Sequence, residues 1–172
     1  MLFRSESSFA LSPQHNSRQR LALDELLAGQ LALGLMRSQI KREYREKRKV
    51  DQVISKKVID SLPYKLTNAQ QRVLNEIKHD LMSNTKMLRL IQGDVGSGKT
   101  IISLISMLYV IESGEQAALM APTEILARQH FDNIKNILRN TDVKVELLTG
   151  KLSSAKRKEI VEKLSSGQID II

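Results

Sequence analysis

The sequence has no cysteine and no long uninterrupted apolar segment. The absence of cysteine excludes a disulfide framework and any metal site built from thiolates. A membrane-spanning helix needs roughly 18 consecutive apolar residues, and no segment approaches that length. Residues 1–15 also lack the apolar stretch of a secretory signal peptide. These absences predict a cytoplasmic protein with no membrane partner.

The length and the residue pattern predict one substantial domain with an appendage. A chain of 172 residues can bury one core of ordinary size. Residues 1–17 are polar and are predicted to be poorly ordered. Residues 18–62 are predicted to form a helical linker, whose leucines recur at helical spacing and indicate a packing surface. Residues 63–172 are predicted to form an α/β domain.

Positive charge is concentrated in one stretch of the chain. The net charge is +8, and residues 37–57 contain nine basic residues against three acidic ones. The basic residues are Arg37, Lys41, Arg42, Arg45, Lys47, Arg48, Lys49, Lys56 and Lys57. Such a patch suits a phosphate backbone. A solvated helix with ion pairs at i,i+4, such as Arg42 with Glu46, explains the same charges equally well.

Residues 93–100 have the sequence GDVGSGKT, which is that of a phosphate-binding loop. All eight are candidate nucleotide contacts: Gly93, Asp94, Val95, Gly96, Ser97, Gly98, Lys99 and Thr100. The glycines allow main-chain N–H groups to converge on phosphate oxygens, Lys99 can reach the β and γ phosphates, and the Thr100 hydroxyl can bind Mg²⁺. The alternative is a glycine-rich turn in an unrelated protein. A predicted strand before the loop and a predicted helix after it favour the phosphate-binding loop.

Strands and helices alternate after residue 63. The pattern predicts strands at 87–92, 117–121, 143–148 and from 169 to 172, and helices near 99–113, 124–139 and 154–165. Such alternation predicts a parallel sheet with ligands at the carboxyl ends of its strands. The predicted fold is α/β, an incomplete P-loop NTPase (RecA-like) sheet preceded by the helical linker. Because the last strand has only begun at 169, we expect an open sheet edge beside it and marginal stability.

Two longer segments extend the motif. They read RLIQGDVGSGKT at 89–100 and MAPTEILARQH at 120–130. Together they closely resemble the RecG family of superfamily 2 DNA helicases. Residues 20–28 are similar to the family's helix before the motor domain, 62–70 to its adenine-recognition segment, and 147–150 to a further motif. The related transcription-repair coupling translocase shares the loop, whereas Gln92, Ser97 and the run TEIL favour RecG.

The resemblance implies an ATP-dependent DNA helicase, with ATP and Mg²⁺ as cofactors and branched or duplex DNA as the partner. The family acts in branch migration, fork reversal, recombination and DNA repair, which implies a place at the nucleoid of the bacterial cytoplasm. Residues 63–172 then correspond to the N-terminal part of the helicase ATP-binding domain. Lys99 and Thr100 are the implied catalytic residues.

The resemblance also implies contacts for residues outside the loop. Gln70 is implied to read the adenine edge through its amide; a capping box with Thr67 is the alternative, and both roles can hold together. The implied DNA contacts are Thr123, Glu124, Arg128, Thr149 and Gly150. Such contacts position phosphates without reading the base sequence. For Thr123, a helix N-cap is the alternative role.

Three parts of the family's pattern are missing from this sequence. Family members carry a wedge domain before the motor, a carboxylate motif on the strand after residue 172, and a second motor domain with arginines for the ATP site. Asp170 is the only late candidate for the missing carboxylate motif, and its apolar neighbours favour a structural role. We therefore expect a fragment that binds ATP and DNA without helicase-like hydrolysis. The alternatives are one half of a split helicase that assembles with a separately encoded remainder, a nucleotide-binding module without catalysis, and a non-functional remnant.

Overall fold

The computed structural model describes residues 15–42 and 49–172. The chain divides between residues 44 and 45 into two compact units. The predicted N-terminal segment 1–17 is described only from residue 15, and residues 43–48 of the basic stretch 37–57 lie outside the described residues. The division into 1–17, 18–62 and 63–172 therefore stays a prediction. Within the described ranges, no helix is long and apolar enough to cross a membrane.

The first unit contains one described helix, α1, at Asn16–Arg42. It has no proline, and its leucines recur every three or four residues, as one face of a helix requires. The leucines of this stripe are exposed: Leu23, Leu26, Leu27, Leu31 and Leu35. The predicted role of these leucines as a packing surface therefore stays a prediction.

The described part of the second unit contains five helices: α2 at Val53–Ser61, α3 at Asn68–Leu81, α4 at Lys99–Ile111, α5 at Glu124–Ile137 and α6 at Ser154–Ser165. The last three follow the helices predicted near 99–113, 124–139 and 154–165 closely. Three of the five begin after a hydroxyl residue that accepts a main-chain N–H of the first turn: Thr67 for α3, Thr123 for α5 and Ser153 for α6. Each cap satisfies an N–H group that the helix leaves unpaired. Gly114 follows α4 with a φ of 80°, the left-handed conformation in which glycine commonly ends a helix.

The core of the second unit is built around α4. Seven of its residues are buried: Ile101, Ile102, Leu104, Ile105, Met107, Leu108 and Tyr109. A helix that is apolar on nearly every side must be covered on several faces. Helices α2 and α3 pack against it, and Ile134 of α5 and Ile171 belong to the same cluster. This burial fixes the position at which α4 begins, directly after the phosphate-binding loop.

Two parallel bridges join three of the segments that are predicted as strands. Ile171 pairs with Ala117 on one side and with Val145 on the other. The Ala117 N–H donates to the carbonyl of residue 170 at 2.9 Å, and the Ile171 N–H donates to the carbonyl of residue 144 at 3.0 Å. The order across the layer is therefore 117–119, 170–172, 144–146. The parallel direction agrees with the prediction, but the paired stretches are much shorter than the predicted strands.

The expectation of an open edge beside the last segment is wrong. Residues 170–172 lie between two hydrogen-bonded neighbours, and Ile171 is buried. Parallel segments joined by crossovers need not lie side by side in sequence order, so a later segment can lie between two earlier ones. The argument for marginal stability that depended on this edge therefore has no basis in the structure.

Residues 87–92, which are predicted as a strand, make no main-chain hydrogen bond to another described segment. Met87 and Ile91 pack against the core, while the apolar side chains between them are exposed. This alternation is that of an extended strand. Arg89 donates to Asp80 of α3 at 2.7 and 2.9 Å. Contacts to α3 and the core thus hold the segment in place, without main-chain pairing to a neighbouring strand among the described residues.

A carboxylate at the end of α4 ties α2 to the core. Glu112 accepts hydrogen bonds from the N–H groups of Gln52 at 2.8 Å and Ser55 at 2.7 Å, and from the Ser55 hydroxyl at 3.0 Å. Ser55 is completely buried, so water cannot take over as its acceptor. The carboxylate lies at the N-terminus of α2, where the helix dipole favours a negative charge. The Gln52 side chain, in turn, accepts a hydrogen bond from Lys78 of α3.

Replacing Glu112 with alanine should destabilise the second unit by about 1–3 kcal/mol, because the buried polar groups of Ser55 lose their acceptor. Urea unfolding followed by circular dichroism measures the change. Glu162→Ala is a matched control, since the Glu162 side chain on α6 is 67% exposed; it should change stability by less than about 0.5 kcal/mol. Equal losses in the two variants would contradict the role given to Glu112.

Candidate functional site

The loop at 93–100 passes twice through left-handed backbone before α4 begins. Gly96 has a φ of 80° and Gly98 a φ of 85°, and glycine is the residue that adopts such angles without strain. The N–H groups of Lys99 and Thr100 donate no main-chain hydrogen bond within the described part of the chain. Because these groups open α4, they are available to an external anion and lie at the positive end of the helix dipole.

Gln70 connects the loop to the start of α3. Its side-chain carbonyl accepts the Thr67 N–H at 2.9 Å, and the Thr67 hydroxyl oxygen accepts the Gln70 N–H at 3.3 Å. The predicted capping box is therefore confirmed. The amide nitrogen of Gln70 donates to the Ser97 carbonyl at 2.9 Å. A Cβ at Gly98 would stand 2.4 Å from that nitrogen. The left-handed backbone therefore requires glycine at 98, and an added Cβ would displace the Gln70 side chain.

Lys99 is folded back onto its own loop. Its ammonium donates to the carbonyls of Gly93 at 2.8 Å and Asp94 at 2.7 Å, and lies 3.4 Å from the Ser97 hydroxyl. The side chain is exposed, so it can change partners without disturbing the core. A phosphate is an anionic acceptor and forms stronger hydrogen bonds with an ammonium than neutral carbonyls do. This arrangement therefore fits a loop that exchanges its own carbonyls for a phosphate.

A cavity of about 300 Å³ adjoins the loop. Gly98, Lys99 and Thr100 line one part of it, and Tyr64 and Asn133 line another. Ligand sites commonly have volumes of about 300 to 1,000 Å³, so the cavity is large enough for part of a nucleotide. The loop, the start of α4, the segment before α3 and helix α5 all contribute to this one site.

The carboxylate of Asp170 is used elsewhere in the structure. It accepts the Lys144 N–H at 2.7 Å, which agrees with the structural role predicted for it. Among the described residues, no group of three or more His, Asp or Glu side chains could hold a metal ion. The Thr100 hydroxyl is the metal ligand that the loop offers, and one hydroxyl suits a cation that is also held by phosphates.

The predicted nucleic-acid contacts on α5 form a second group. The Thr123 hydroxyl oxygen accepts the Leu126 N–H at 3.3 Å, so Thr123 is an N-cap. Glu124 accepts two hydrogen bonds from Arg128, at 2.9 and 3.2 Å, and lies 3.5 Å from the Lys151 ammonium. The hydrogen bond from Arg128 lowers the pKa of Glu124, and the nearby Lys151 charge acts in the same direction. Glu124 thus stays ionised and neutralises two neighbouring cations in part.

Thr149 and Gly150 directly precede Lys151. Thr149 is only 8% exposed, and its hydroxyl oxygen is buried without a hydrogen-bond partner among the described residues. Buried hydroxyls are normally paired. Gly150 has open space where a Cβ would stand, so local packing does not require glycine there. Because Lys151 reaches Glu124, the two predicted groups of nucleic-acid contacts lie next to each other.

Residues 67–172 match the DEAD/DEAH box helicase family. The chain belongs to this family. The matched helicase region starts at the capping residue Thr67 and contains the phosphate-binding loop, Gln70 and both predicted nucleic-acid segments. Membership in this helicase family supports the P-loop NTPase-like fold that the sequence predicts.

The relatives are RecG helicases. The chain is 44% identical to the ATP-dependent DNA helicase RecG of Aquifex aeolicus over 154 residues, which cover 90% of this chain and 19% of that protein. It is also 44% identical to RecG of Bacillus subtilis over 160 residues, which cover 91% of this chain and 23% of that protein. The chain spans about a fifth of the length of these relatives.

A solved structure of RecG bound to a three-way DNA junction superposes with a TM-score of 0.81 at 40% identity. It covers 90% of this chain and 21% of the RecG chain. The resemblance to RecG that the motifs indicate is therefore confirmed.

Three residues that lie at the candidate sites are absent from the sequence-based prediction. Tyr64 lies in the segment that resembles the family's adenine-recognition segment, but nothing in that resemblance singles it out. Lys151 follows Gly150 directly, and this proximity is the signal that could have identified it. Asn133 lies in the middle of α5 and lines the cavity; because it reaches the loop only through the packing of α5, no local pattern indicates it.

Substituting Gly98 with alanine should weaken nucleotide binding at least tenfold, because the added Cβ displaces Gln70 from the Ser97 carbonyl. Gly96→Ala is the matched control. Its φ is also positive, but no atom lies within 4 Å of an added Cβ. Both variants should lose about 1 kcal/mol of stability from the backbone conformation, whereas Gly98→Ala should lose more. Titration with a fluorescent nucleotide and urea unfolding measure the two effects, and identical behaviour of the variants would contradict the role of Gln70.

Proposed function

We propose that this chain is the nucleotide-binding part of a RecG-type, ATP-dependent DNA helicase motor. The observation that carries the proposal is the loop at 93–100. Its helix-opening N–H groups have no main-chain acceptor in the part of the chain that the structure describes, and its lysine is held by exchangeable carbonyls. The 44% identity to RecG proteins supports ATP as the nucleotide and DNA as the polymer. A role in branch migration, fork reversal, recombination and repair in the bacterial cytoplasm, at the nucleoid, is part of this proposal.

At the nucleotide, the residues divide the work by chemistry. The N–H groups at residues 93–100 bind phosphate oxygens, and Lys99 moves from the loop carbonyls to the β and γ phosphates. Gln70 has one amide N–H left after its bond to Ser97, and we assign that N–H to the adenine edge. Mg²⁺ supplies charge neutralisation at the phosphates when it is bound. Thr100 is its protein ligand in this proposal.

At the DNA, the surface formed by Thr123, Arg128, Thr149, Gly150 and Lys151 binds the sugar–phosphate backbone. Arg128 and Lys151 supply positive charge, and the start of α5 adds N–H groups. Glu124 belongs to the same surface through its ion pairs with both cations. Contacts of this kind fix the position of a strand without reading its bases. A helicase that moves over any sequence needs such a surface. Branched or duplex DNA is the proposed partner, and the structure of RecG on a three-way junction supports that choice.

Lys99→Ala should reduce ATP·Mg²⁺ affinity at least tenfold, because the variant loses its direct charge contact to the phosphates. Titration of labelled ATP against the wild type and the variant measures this loss. Lys156→Ala is the control: this lysine is on α6 and pairs with Glu159 at 3.1 Å, so ATP affinity should not change. Equal ATP affinity in wild type and Lys99→Ala would disprove the nucleotide site.

This chain alone should hydrolyse ATP far more slowly than a helicase, even with forked DNA present. Asp170 is engaged with Lys144, and Arg128 with Glu124, so neither is placed to assist. An arginine that stabilises the transition state is worth about 10³ to 10⁵ in rate in comparable NTPases. A phosphate-release assay with and without forked DNA measures the rate. DNA-stimulated turnover that disappears in Lys99→Ala would show that the chain completes its own catalytic site.

A further inference from the structure

Glu124 is an acidic residue on a surface that is proposed to bind phosphates. It is the least exposed member of its ion-pair group: its side chain is 23% exposed, against 54% for Arg128 and 82% for Lys151. An uncompensated carboxylate at this place repels a phosphate. In the free protein, however, the ion pairs with Arg128 and Lys151 compensate the negative charge of Glu124.

The two pairs differ in strength. Arg128 donates twice to one carboxylate oxygen, at 2.9 and 3.2 Å, from one turn further along the same helix. Lys151 lies 3.5 Å from the other oxygen and comes from the segment between Thr149 and α6. Long, exposed pairs of this kind contribute little stability and exchange easily. Lys151 is therefore the cation that can leave Glu124 at low cost.

We propose that Glu124 is an internal competitor of the DNA backbone, which occupies Lys151 in the free protein and releases it to a phosphate on binding. This proposal rests on the DNA surface of the proposed function. DNA binding then breaks the Glu124–Lys151 ion pair when Lys151 contacts a phosphate. Glu124 thereby lowers the affinity for DNA, and a motor that must release and rebind DNA requires a limited affinity. The hydrogen bonds from Arg128 to Glu124 keep the Arg128 side chain in place.

The test is DNA binding by the full chain after Glu124→Gln, which keeps the shape of the side chain but removes its charge. Fluorescence anisotropy with a labelled forked duplex, at several NaCl concentrations, gives the affinity and its salt dependence. Affinity should rise about three- to tenfold. The plot of log K against log [NaCl] should steepen by less than one unit, because no carboxylate loses the compensation of its charge when Lys151 moves to a phosphate.

Glu159→Gln is the matched control. Glu159 on α6 also accepts from two lysines, Lys156 at 3.1 Å and Lys163 at 2.7 Å, so its loss changes the net charge by the same amount. It should alter DNA affinity less than twofold. If Glu159→Gln raised DNA affinity as much as Glu124→Gln, the change in net charge alone would explain both effects, and the proposal would be overturned. In the double variant Glu124→Gln/Lys151→Ala, the gain should disappear, since the released lysine is absent.

Two further variants separate this inference from the proposed function. Arg128→Ala and Lys151→Ala should each weaken DNA binding. If neither variant binds DNA more weakly than the wild type, the proposed DNA surface is wrong. The proposed role of Glu124, which rests on that surface, is then wrong as well. If both weaken binding but Glu124→Gln binds no tighter than wild type, the DNA surface stands and only the competitor role is overturned. Circular dichroism of each variant confirms that the helices are intact.

Discussion

The burial of α4 is the constraint on which the rest of the structure depends. The helix is covered on several faces by α2, α3 and α5. Polar groups that bind other parts of the molecule or a ligand lie at both of its ends. At its start, the main chain must turn through Gly98 so that the first N–H groups stay free. At its end, Glu112 holds the N-terminus of α2. A buried helix cannot shift along its axis without breaking packing, so the phosphate-binding loop is fixed from behind by the core.

In the free protein, charged side chains of both predicted ligand sites are paired within the chain. Lys99 binds the carbonyls of its own loop, and Glu124 binds Arg128 and Lys151. An unpaired charge is costly where it is buried, but Lys99 and Lys151 are exposed. Water can replace their present partners, so exchange of these partners for a ligand is inexpensive.

The sequence predicts the local features well and the long-range ones less well. Helix bounds, the capping box of Thr67 and Gln70, and the turn at Gly114 follow from patterns within a few residues, where backbone chemistry decides. The position of 170–172 between two earlier segments depends on packing, and the sequence pattern predicts an edge there. Asn133 escaped prediction for the same reason, since it reaches the cavity through the packing of α5. Lys151 directly follows the predicted contact Gly150, and that local signal was available. Glu124 is predicted as a DNA contact, but its ion pairs emerge only from the arrangement of α5 and Lys151.

The central place of Ile171 also affects how the chain folds. The segments at 117 and 145 do not bond to each other; each bonds to 171. Neither can therefore form its part of the layer as a local hairpin during an early stage of folding. The helices can form early from nearby residues, but the layer between them closes only when a segment far along the chain arrives. Such non-local closure has a high entropic cost and slows folding. We therefore expect a fast helical phase followed by a slower step in which the inserted segment docks.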